Sequence, residues 1–434
     1  STDGIVGTPI SVSATYIFAF LLFGAFLVKT GVGSYFNDLA ITIAGKLTGG
    51  PAKVAIFSSA LQGTISGSSV ANVVTSGSYT IPMMKKLGYR KEFAGGVEAA
   101  ASTGGQLMPP IMGAAAFLMV EFIGRGITYW EIAKAAIIPA ILYFAGIWIM
   151  THFEAKKLGL QGLSDEEIPN RKEVFKKIYL LTPIILIIVL MMSGIPVIHA
   201  ALYGIVSCII VGFINRDVKF GIKDIIDALV DGARTALAVV AATACAGIIV
   251  GVVVKTGLGL SLANSLVDLA GGSILLTLFF VMIASLILGM GAPTTANYVI
   301  TSTIAAPAII TLLAPDMPQA AVPVVIVLSA HFFVFYFGII ADITPPVALA
   351  AFAASGISGG DPIRTGVNSA KLAIAAFIIP YMIVFSPELL MIDVTFLQVI
   401  WVVFTALMGM IAIGAGVIGY WYRRIIWIER LIMI

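Results

Sequence analysis

The hexapeptide Val28-Lys29-Thr30-Gly31-Val32-Gly33 returns 226 residues further on as Val254-Lys255-Thr256-Gly257-Leu258-Gly259. The echo then continues in order. Gly49-Gly50 answers to Gly271-Gly272, Ala71-Asn72 to Ala296-Asn297, Pro82 to Pro307, Pro109-Pro110 to Pro345-Pro346, and Pro139 to Pro380. Six ordered matches commit the chain to a duplicated architecture. The surroundings of these matches are apolar: 59% of the residues are hydrophobic and 11% charged, with a mean hydropathy of +1.06. Soluble domains run at about 45–50% apolar and about 25% charged. A chain of this composition cannot cover itself with polar surface, so it is a polytopic, all-α integral membrane protein.

A bilayer-spanning helix needs roughly 20 apolar residues. Full crossings are predicted at 10–29, 130–153, 178–193, 197–214, 234–254, 364–386 and 396–421. Broken helices are predicted at 91–123 and 320–355, interrupted by Gly, Pro and polar residues at 103–110 and 338–346. Segments 51–84 and 273–313 run from apolar to small-polar and back within a length short of two crossings, which predicts re-entrant hairpins. Segments 34–47, 218–232 and 258–270 read as helices lying along the interface. The chain thus divides into a first repeat (1–153), a connecting region with two crossings (154–233), a second repeat (234–386) and a C-terminal helix and tail (387–434). Five crossings separate the starts of the two units, and an odd number turns the second upside down. Inverted repeats with paired interrupted segments are the pattern of secondary transporters, whose site lies near the midplane where the repeats meet.

Charge orients the chain. With the N-terminus outside and the C-terminus cytoplasmic, 22 of the 25 lysines and arginines fall on the cytoplasmic side. Arg125, Lys134 and Lys255 are the exceptions, and the outer loop 314–319 carries an acid and no base. The net charge of +3 therefore belongs to a membrane face and implies no nucleic-acid partner. Cys208 and Cys245 sit in apolar runs and make no disulfide framework. The chain opens at Ser1 without a leader-like stretch, so the natural protein is expected to extend upstream.

The chemistry lies in the interruptions, because backbone without helical bonds is tolerated at membrane depth only inside protein or along a wet cavity. The first hairpin tip reads Gly63-Thr64-Ile65-Ser66-Gly67-Ser68-Ser69-Val70-Ala71-Asn72, and the second Gly289-Met290-Gly291-Ala292-Pro293-Thr294-Thr295-Ala296-Asn297. Each offers glycine for an unwound turn, paired hydroxyls and an amide. Such oxygens suit a hard cation such as sodium, while the start of the returning half-helix points partial positive charge at an anion. The competing reading is close packing of small residues. In the breaks, Thr103-Gly104-Gly105-Gln106-Leu107-Met108-Pro109-Pro110 and Gly338-Ile339-Ile340-Ala341-Asp342-Ile343-Thr344-Pro345-Pro346, the prolines remove helical bonds and free carbonyls upstream. Asp342, deep by hydropathy, reads as a cation ligand or proton carrier. Glu98 reads either as a second proton carrier or as a side chain reaching toward Lys91 or Arg90. His331 reads as a hydrogen-bonded structural histidine. No enzyme is expected: Ser66-Gly67-Ser68 has no histidine partner on a nearby segment, Asp342 has no second membrane aspartate, and no Walker motif occurs.

Four stretches carry a family resemblance: GTISGSSVANVVTSGSYTIP from Gly63, GYRKEFAGGVEAAASTGGQLMPP, GMGAPTTANYV and ADITPPVALAAFAASG. They resemble the large membrane (M-type) subunit of tripartite ATP-independent periplasmic (TRAP) transporters over almost the whole chain. The contexts of Glu98 and Asp342 look most like the branch served by TAXI-type binding proteins, where large and small membrane parts are often fused. The resemblance implies an elevator-type, inverted-repeat transporter in a bacterial or archaeal cytoplasmic membrane. It implies import of a carboxylate delivered by a soluble extracytoplasmic binding protein, with a small Q-type subunit or fused N-terminal domain as membrane partner. The implied coupling ion is sodium, with protons as the alternative, and no other cofactor. By motif, the implied cation positions are Ser66, Ser68 and Asn72 facing Gly104 and Gly105, and Gly289, Thr294 and Asn297 facing Asp342 and Thr344. The substrate is placed between the tips, at Ser68, Ser69, Asn72, Gln106, Thr294, Thr295 and Asn297. No lysine or arginine falls at this site, so an anion there would rely on bound cations and half-helix dipoles. The rival readings are a stand-alone di- or tricarboxylate carrier of the same architecture and, in a different class, a channel.

Overall fold

The computed structural model describes all residues except 1–3, 316 and 319, so Asp316 and Gln319 of the 314–319 loop lie outside the described residues. The described residues form helices and turns with no strand beyond one isolated bridge, Tyr420 to Arg424. Six helices are long and apolar enough to cross a membrane, and three bent pairs raise the number to nine. The N-terminal helix Thr8–Lys29 leads through Gly31, in the left-handed region (φ 83°), into the short helix Val32–Ala44. Its counterpart Gly257 (φ 67°) makes the same turn from Ile222–Thr256 into Leu258–Leu269. The recurring hexapeptide is thus a recurring corner, because a left-handed turn between two helices needs a residue without a Cβ.

The first hairpin consists of Gly50–Ser66 and Ser69–Leu87. Between them Gly67 (φ 59°) reverses the chain, and the Ser68 side chain accepts from the Ala71 amide to cap the returning arm. The second hairpin consists of Ile274–Gly289 and Thr294–Leu313, turning through Met290–Pro293.

The broken helices are present, with their interruptions later than predicted. In the first, helix Lys91–Leu107 runs through Gly104 and Gly105 before bending by 63° into Met112–Ile123. In the second, Gly338, Ile339 and Ile340 still belong to helix Val324–Ile340, and the chain resumes helix only at Leu349–Ser358. The glycines serve close approach instead of unwinding. A Cβ on Gly104 would lie 2.1 Å from the Tyr143 ring, and one on Gly105 would lie 2.8 Å from the Cα of Gly63. Pro109-Pro110 and Pro345-Pro346 mark where each helix stops.

One further prediction is corrected. Segments 218–232 and 234–254 are not an interfacial helix and a separate crossing but one 35-residue helix, Ile222–Thr256. At 1.5 Å per residue it is about 52 Å long, against a hydrocarbon core of about 30 Å. Gly232 does not break it, since its Cα face receives Leu22 of the N-terminal helix, 2.8 Å from where a Cβ would stand. The two helices run antiparallel, tied by Lys29 to Asp231 at 3.0 Å and by Ser13 to Thr243 at 3.0 Å. The segment 364–386 is kinked: Pro362–Leu372 and Ile374–Phe385 meet at Ala373 with a bend of 40°.

The arms of the first hairpin, the first broken helix, Leu349–Ser358 and Pro362–Leu372 pack on one another, the arms of the second hairpin pack on Val324–Ile340, and every residue from Val327 to Ile340 is buried. The outermost helix, Phe396–Ile418, leaves Trp401 66% and Phe404 54% exposed, a face for lipid and not for water.

Candidate substrate and cation site

The two tips meet across a cavity of about 320 Å³. Ser66 to Val70 of the first tip and Gly291 to Thr295 of the second form opposite walls, and Ile111, Gly113, Asp342 and Leu349 come from the breaks. The remaining wall is Leu21 with Thr235, Ala238 and Val239, from the N-terminal helix and Ile222–Thr256. Sequence reasoning did not place this wall, since Thr235 is its sole polar residue and no break or motif marks it. Asp342 is the sole charged residue among the lining side chains.

A chain of hydrogen bonds crosses between the repeats. Ser69 Oγ donates to Asp342 Oδ2 at 2.6 Å, Gln106 Nε2 donates to the same oxygen at 3.1 Å, and Thr294 Oγ1 donates to Gln106 Oε1 at 2.8 Å. Ser69 and Thr294 are equivalent positions of the two units, 225 apart, as are Gln106 and Asp342, 236 apart. Each tip therefore bonds the break of the other unit. Both donors to Asp342 use Oδ2, which leaves Oδ1 without a protein donor on a residue that lines the cavity.

The two amides sit one turn beyond the tips. Asn72 Nδ2 donates to the Ser59 carbonyl at 3.0 Å, and Asn297 Nδ2 to the Gly338 carbonyl at 2.6 Å. Asn72 and Asn297 are both buried, and the Oδ1 of each has no hydrogen-bond partner. Buried amide oxygens are ordinarily satisfied, so a matched pair of bare ones is a matched pair of vacant acceptor positions. Ser66 Oγ and Thr103 Oγ1 are bare as well. On the first side, Gly63, Asn72 and Gly105 crowd together, while Gly104 packs on Tyr143. On the second, Gly289 lies against Asn297 and Gly338, but Asp342 pairs with Ser69 and Gln106, and Thr344 Oγ1 turns back to the Ile340 carbonyl at 2.9 Å. Thr295 lines the cavity and Ser68 caps the first tip.

Glu98 does not reach toward Arg90 or Lys91. It is completely buried among four hydroxyls contributed by Ser59, Ser76, Thr80 and Ser102, and Lys91 Nζ bonds the Gly359 carbonyl instead. His331 is a structural histidine, its Nδ1 2.6 Å from the Tyr298 hydroxyl.

The contact of hairpin on broken helix gives a first test. A Cβ on Gly63 would lie 2.1 Å from Gly105 Cα, backbone against backbone, whereas nothing stands within 4 Å of one on Gly33. Gly63→Ala is expected to destabilise the detergent-purified protein by about 3 kcal/mol or more, and Gly33→Ala to leave its thermal midpoint unchanged or slightly raised. Equal midpoints for the two variants would refute this packing.

Paired re-entrant hairpins, two interrupted helices and a cavity holding a single acid where they converge define an inverted-repeat membrane transport protein. The family model described as the tripartite ATP-independent periplasmic transporter, DctM component, matches residues 2–397, and the chain belongs to that family. The isethionate TRAP transporter permease protein DctMQ of Oleidesulfovibrio alaskensis is 26% identical over 345 residues, 78% of this chain and 51% of that protein. The C4-dicarboxylate TRAP transporter large permease protein DctM of Vibrio cholerae is 29% identical, over 46% of this chain and 44% of that protein. The sialic acid TRAP transporter large permease protein SiaM of the same organism is 30% identical over 39% of each. The chain spans about half the length, or less, of these relatives.

Proposed function

We propose that this chain is the translocating membrane part of a secondary importer that takes an organic acid from a soluble extracytoplasmic binding protein and is driven by a sodium gradient. The carrying observation is the cavity itself. It presents the free oxygen of Asp342 and no lysine or arginine, so a carboxylate cannot settle beside it until a cation is also present. Two unit charges 4 Å apart at an effective dielectric of 20 interact by about 4 kcal/mol, more than the tip hydroxyls return as hydrogen bonds at about 1 kcal/mol each. Substrate and cation then bind together or not at all, which is the requirement for coupling. The amide oxygens of Asn72 and Asn297, which have no hydrogen-bond partner, supply further cation ligands.

Relatives named for isethionate, C4-dicarboxylates and sialic acid support an organic acid as cargo. The fused name DctMQ supports a small Q-type membrane part as partner, separate or fused, and the TAXI type is our reading for the binding protein. The hairpins, their breaks and the helices packed on them form the moving body of an elevator, sliding on the wall of Thr8–Lys29 and Ile222–Thr256. The chain sits in the cytoplasmic membrane with its N-terminus outside and its C-terminus inside.

Sodium is expected to raise the thermal midpoint of the purified protein above that in potassium at equal ionic strength, since a ligand at 100 times its dissociation constant stabilises by about 2.7 kcal/mol. Equal midpoints would turn the reading from sodium to protons. In proteoliposomes, uptake is expected only with the binding protein added. Uptake without it would favour a stand-alone carrier, and conductance without substrate a channel.

A further inference from the structure

We propose that Glu98 is a proton-binding site linked antagonistically to the cation site at Asn72, so that a proton on Glu98 weakens sodium binding at the first hairpin. The inference rests on the cation reading of Asn72 given above.

The site is built from three segments. Ser59 comes from the inbound arm of the hairpin, Ser76 and Thr80 from the outbound arm, and Ser102 from one turn further along the broken helix. Ser59 Oγ donates to Glu98 Oε1 at 2.9 Å and Ser102 Oγ at 3.1 Å, Ser76 donates to the same oxygen, and Thr80 to Oε2. Room for the carboxyl is made by Gly77, where a Cβ would stand 2.9 Å from Glu98 Cγ. All four partners are neutral. Of the titratable side chains on the elements packed around this helix, Lys53 and His152 face each other at 3.1 Å, Lys85 bonds the Ser358 carbonyl, and Tyr143 bonds the Ala100 carbonyl. Arg364 and Lys371 open into a cleft beside Arg90, at the other end of the helix. No charged group meets Glu98. An acid so deep, with neither base nor salt bridge, is maintained for what its charge does.

The cage can satisfy either protonation state because its hydroxyls have a second acceptor. Ser76 Oγ lies 2.8 Å from the Asn72 carbonyl and Thr80 Oγ1 3.1 Å from the Ser76 carbonyl. When Glu98 is ionised, the hydroxyls point at the carboxylate. When it takes a proton, the new O–H donates to Ser76 Oγ and the Ser76 proton swings to the Asn72 carbonyl. One proton is added and every donor keeps an acceptor. The second repeat shows the same framework without the acid. Val334 stands where Glu98 does, Thr301, the counterpart of Ser76, donates to the Asn297 carbonyl at 3.0 Å, and Ser285, the counterpart of Ser59, has no partner.

Two of the four hydroxyl residues also hold Asn72. Its Nδ2 is bonded to the Ser59 carbonyl, and its backbone carbonyl lies 2.8 Å from Ser76 Oγ. A cation on Asn72 Oδ1 therefore shares two residues with the Glu98 cage. The ionised carboxylate attracts that cation through an interior of low dielectric, and neutralising it removes the attraction. By linkage, sodium must weaken proton binding by the same factor. Sodium loaded at a face of higher pH would be released more readily at a face of lower pH.

The test is the sodium-induced rise in thermal midpoint of the full chain in nanodiscs, at pH 6 and pH 8, with potassium holding ionic strength constant. The half-effective sodium concentration is expected to be at least threefold lower at pH 8 in the unaltered protein. That ratio is expected to fall to near one in Glu98→Gln, which mimics the protonated acid, and in Glu98→Ala, which removes the titrating group. A ratio of one in the unaltered protein, or an unchanged ratio in either variant, overturns the proposal while leaving the cation site standing. If Glu98→Gln does not fold, Glu98→Ala decides alone. Absence of any sodium-specific rise at either pH brings down the cation site itself, and this inference with it.

Discussion

Proteoliposomes carrying Asp342→Asn, supplied with the binding protein, are expected to need at least tenfold more sodium for half-maximal uptake than the unaltered protein, a change of about 1.4 kcal/mol or more. The substitution isolates charge because the network can absorb it. With the new amide oxygen in the place of Oδ2, it still accepts from Ser69 and from Gln106, Thr294 still donates to Gln106, and the NH₂ group takes the place of Oδ1 at the cavity. The same number of hydrogen bonds survives, and the thermal midpoint is expected to stay close to that of the unaltered protein. What is lost is the fixed anion, and with it the charge that draws a cation into the site. If Asp342 instead carries a proton, neither protein will depend on sodium, and the variant will exchange substrate without concentrating it under a pH gradient. If it is only a structural acid, the midpoint falls and ion dependence does not change. Wild-type sodium dependence together with wild-type accumulation removes Asp342 from coupling altogether.

The double variant Asn72→Leu, Asn297→Leu is expected to lower concentrative uptake by about 100-fold or more, equivalent to ~2.7 kcal/mol, while still folding. Each leucine is close to asparagine in size, and each forfeits one amide bond, to the Ser59 or the Gly338 carbonyl. That costs about 1–3 kcal/mol per carbonyl left bare. The oxygens that face no partner cost the fold nothing when removed, so a large functional loss with a modest fall in midpoint assigns them to a ligand. The sodium-specific rise in thermal midpoint should vanish in the same protein. A double variant that accumulates substrate normally would take both tips out of ion binding.

Much of this architecture is legible in the sequence because membrane depth leaves few ways to interrupt a helix. Glycine, proline and hydroxyl clusters in apolar runs located both hairpins and both broken helices, and the ordered matches paired them. The places that failed share a cause. Gly104, Gly105 and Gly338 were read as unwound, but a glycine that admits Tyr143 or the backbone of Gly63 looks the same in sequence as one that breaks a helix. The continuous helix Ile222–Thr256 was divided at its change from charged to apolar residues, a boundary of environment and not of backbone. Within the site, each tip had been grouped with its own break, since neighbours in sequence are the only neighbours a sequence displays. The bonds from Ser69 to Asp342 and from Thr294 to Gln106 cross between units, and nothing in either unit alone announces that. The surroundings of Glu98 were equally hidden: Ser76 and Thr80 lie at helical spacing on one face, but Ser59 and Ser102 join them only when three segments pack.

Gln106 and Asp342 occupy the same place in the two halves and touch each other. Two identical halves facing one another head to foot would set the same side chain on both sides of their axis. Such a pair carries a fixed charge on both members or on neither: a pair of glutamines would pair amide to amide as a neutral contact, and a pair of aspartates would repel unless a proton or a metal ion stood between them. A single negative charge held without a shared proton or metal ion is therefore something no exact dimer of either half could possess. It exists because the two halves differ at this position, and an odd electrostatic number there is what two halves joined in one chain make available.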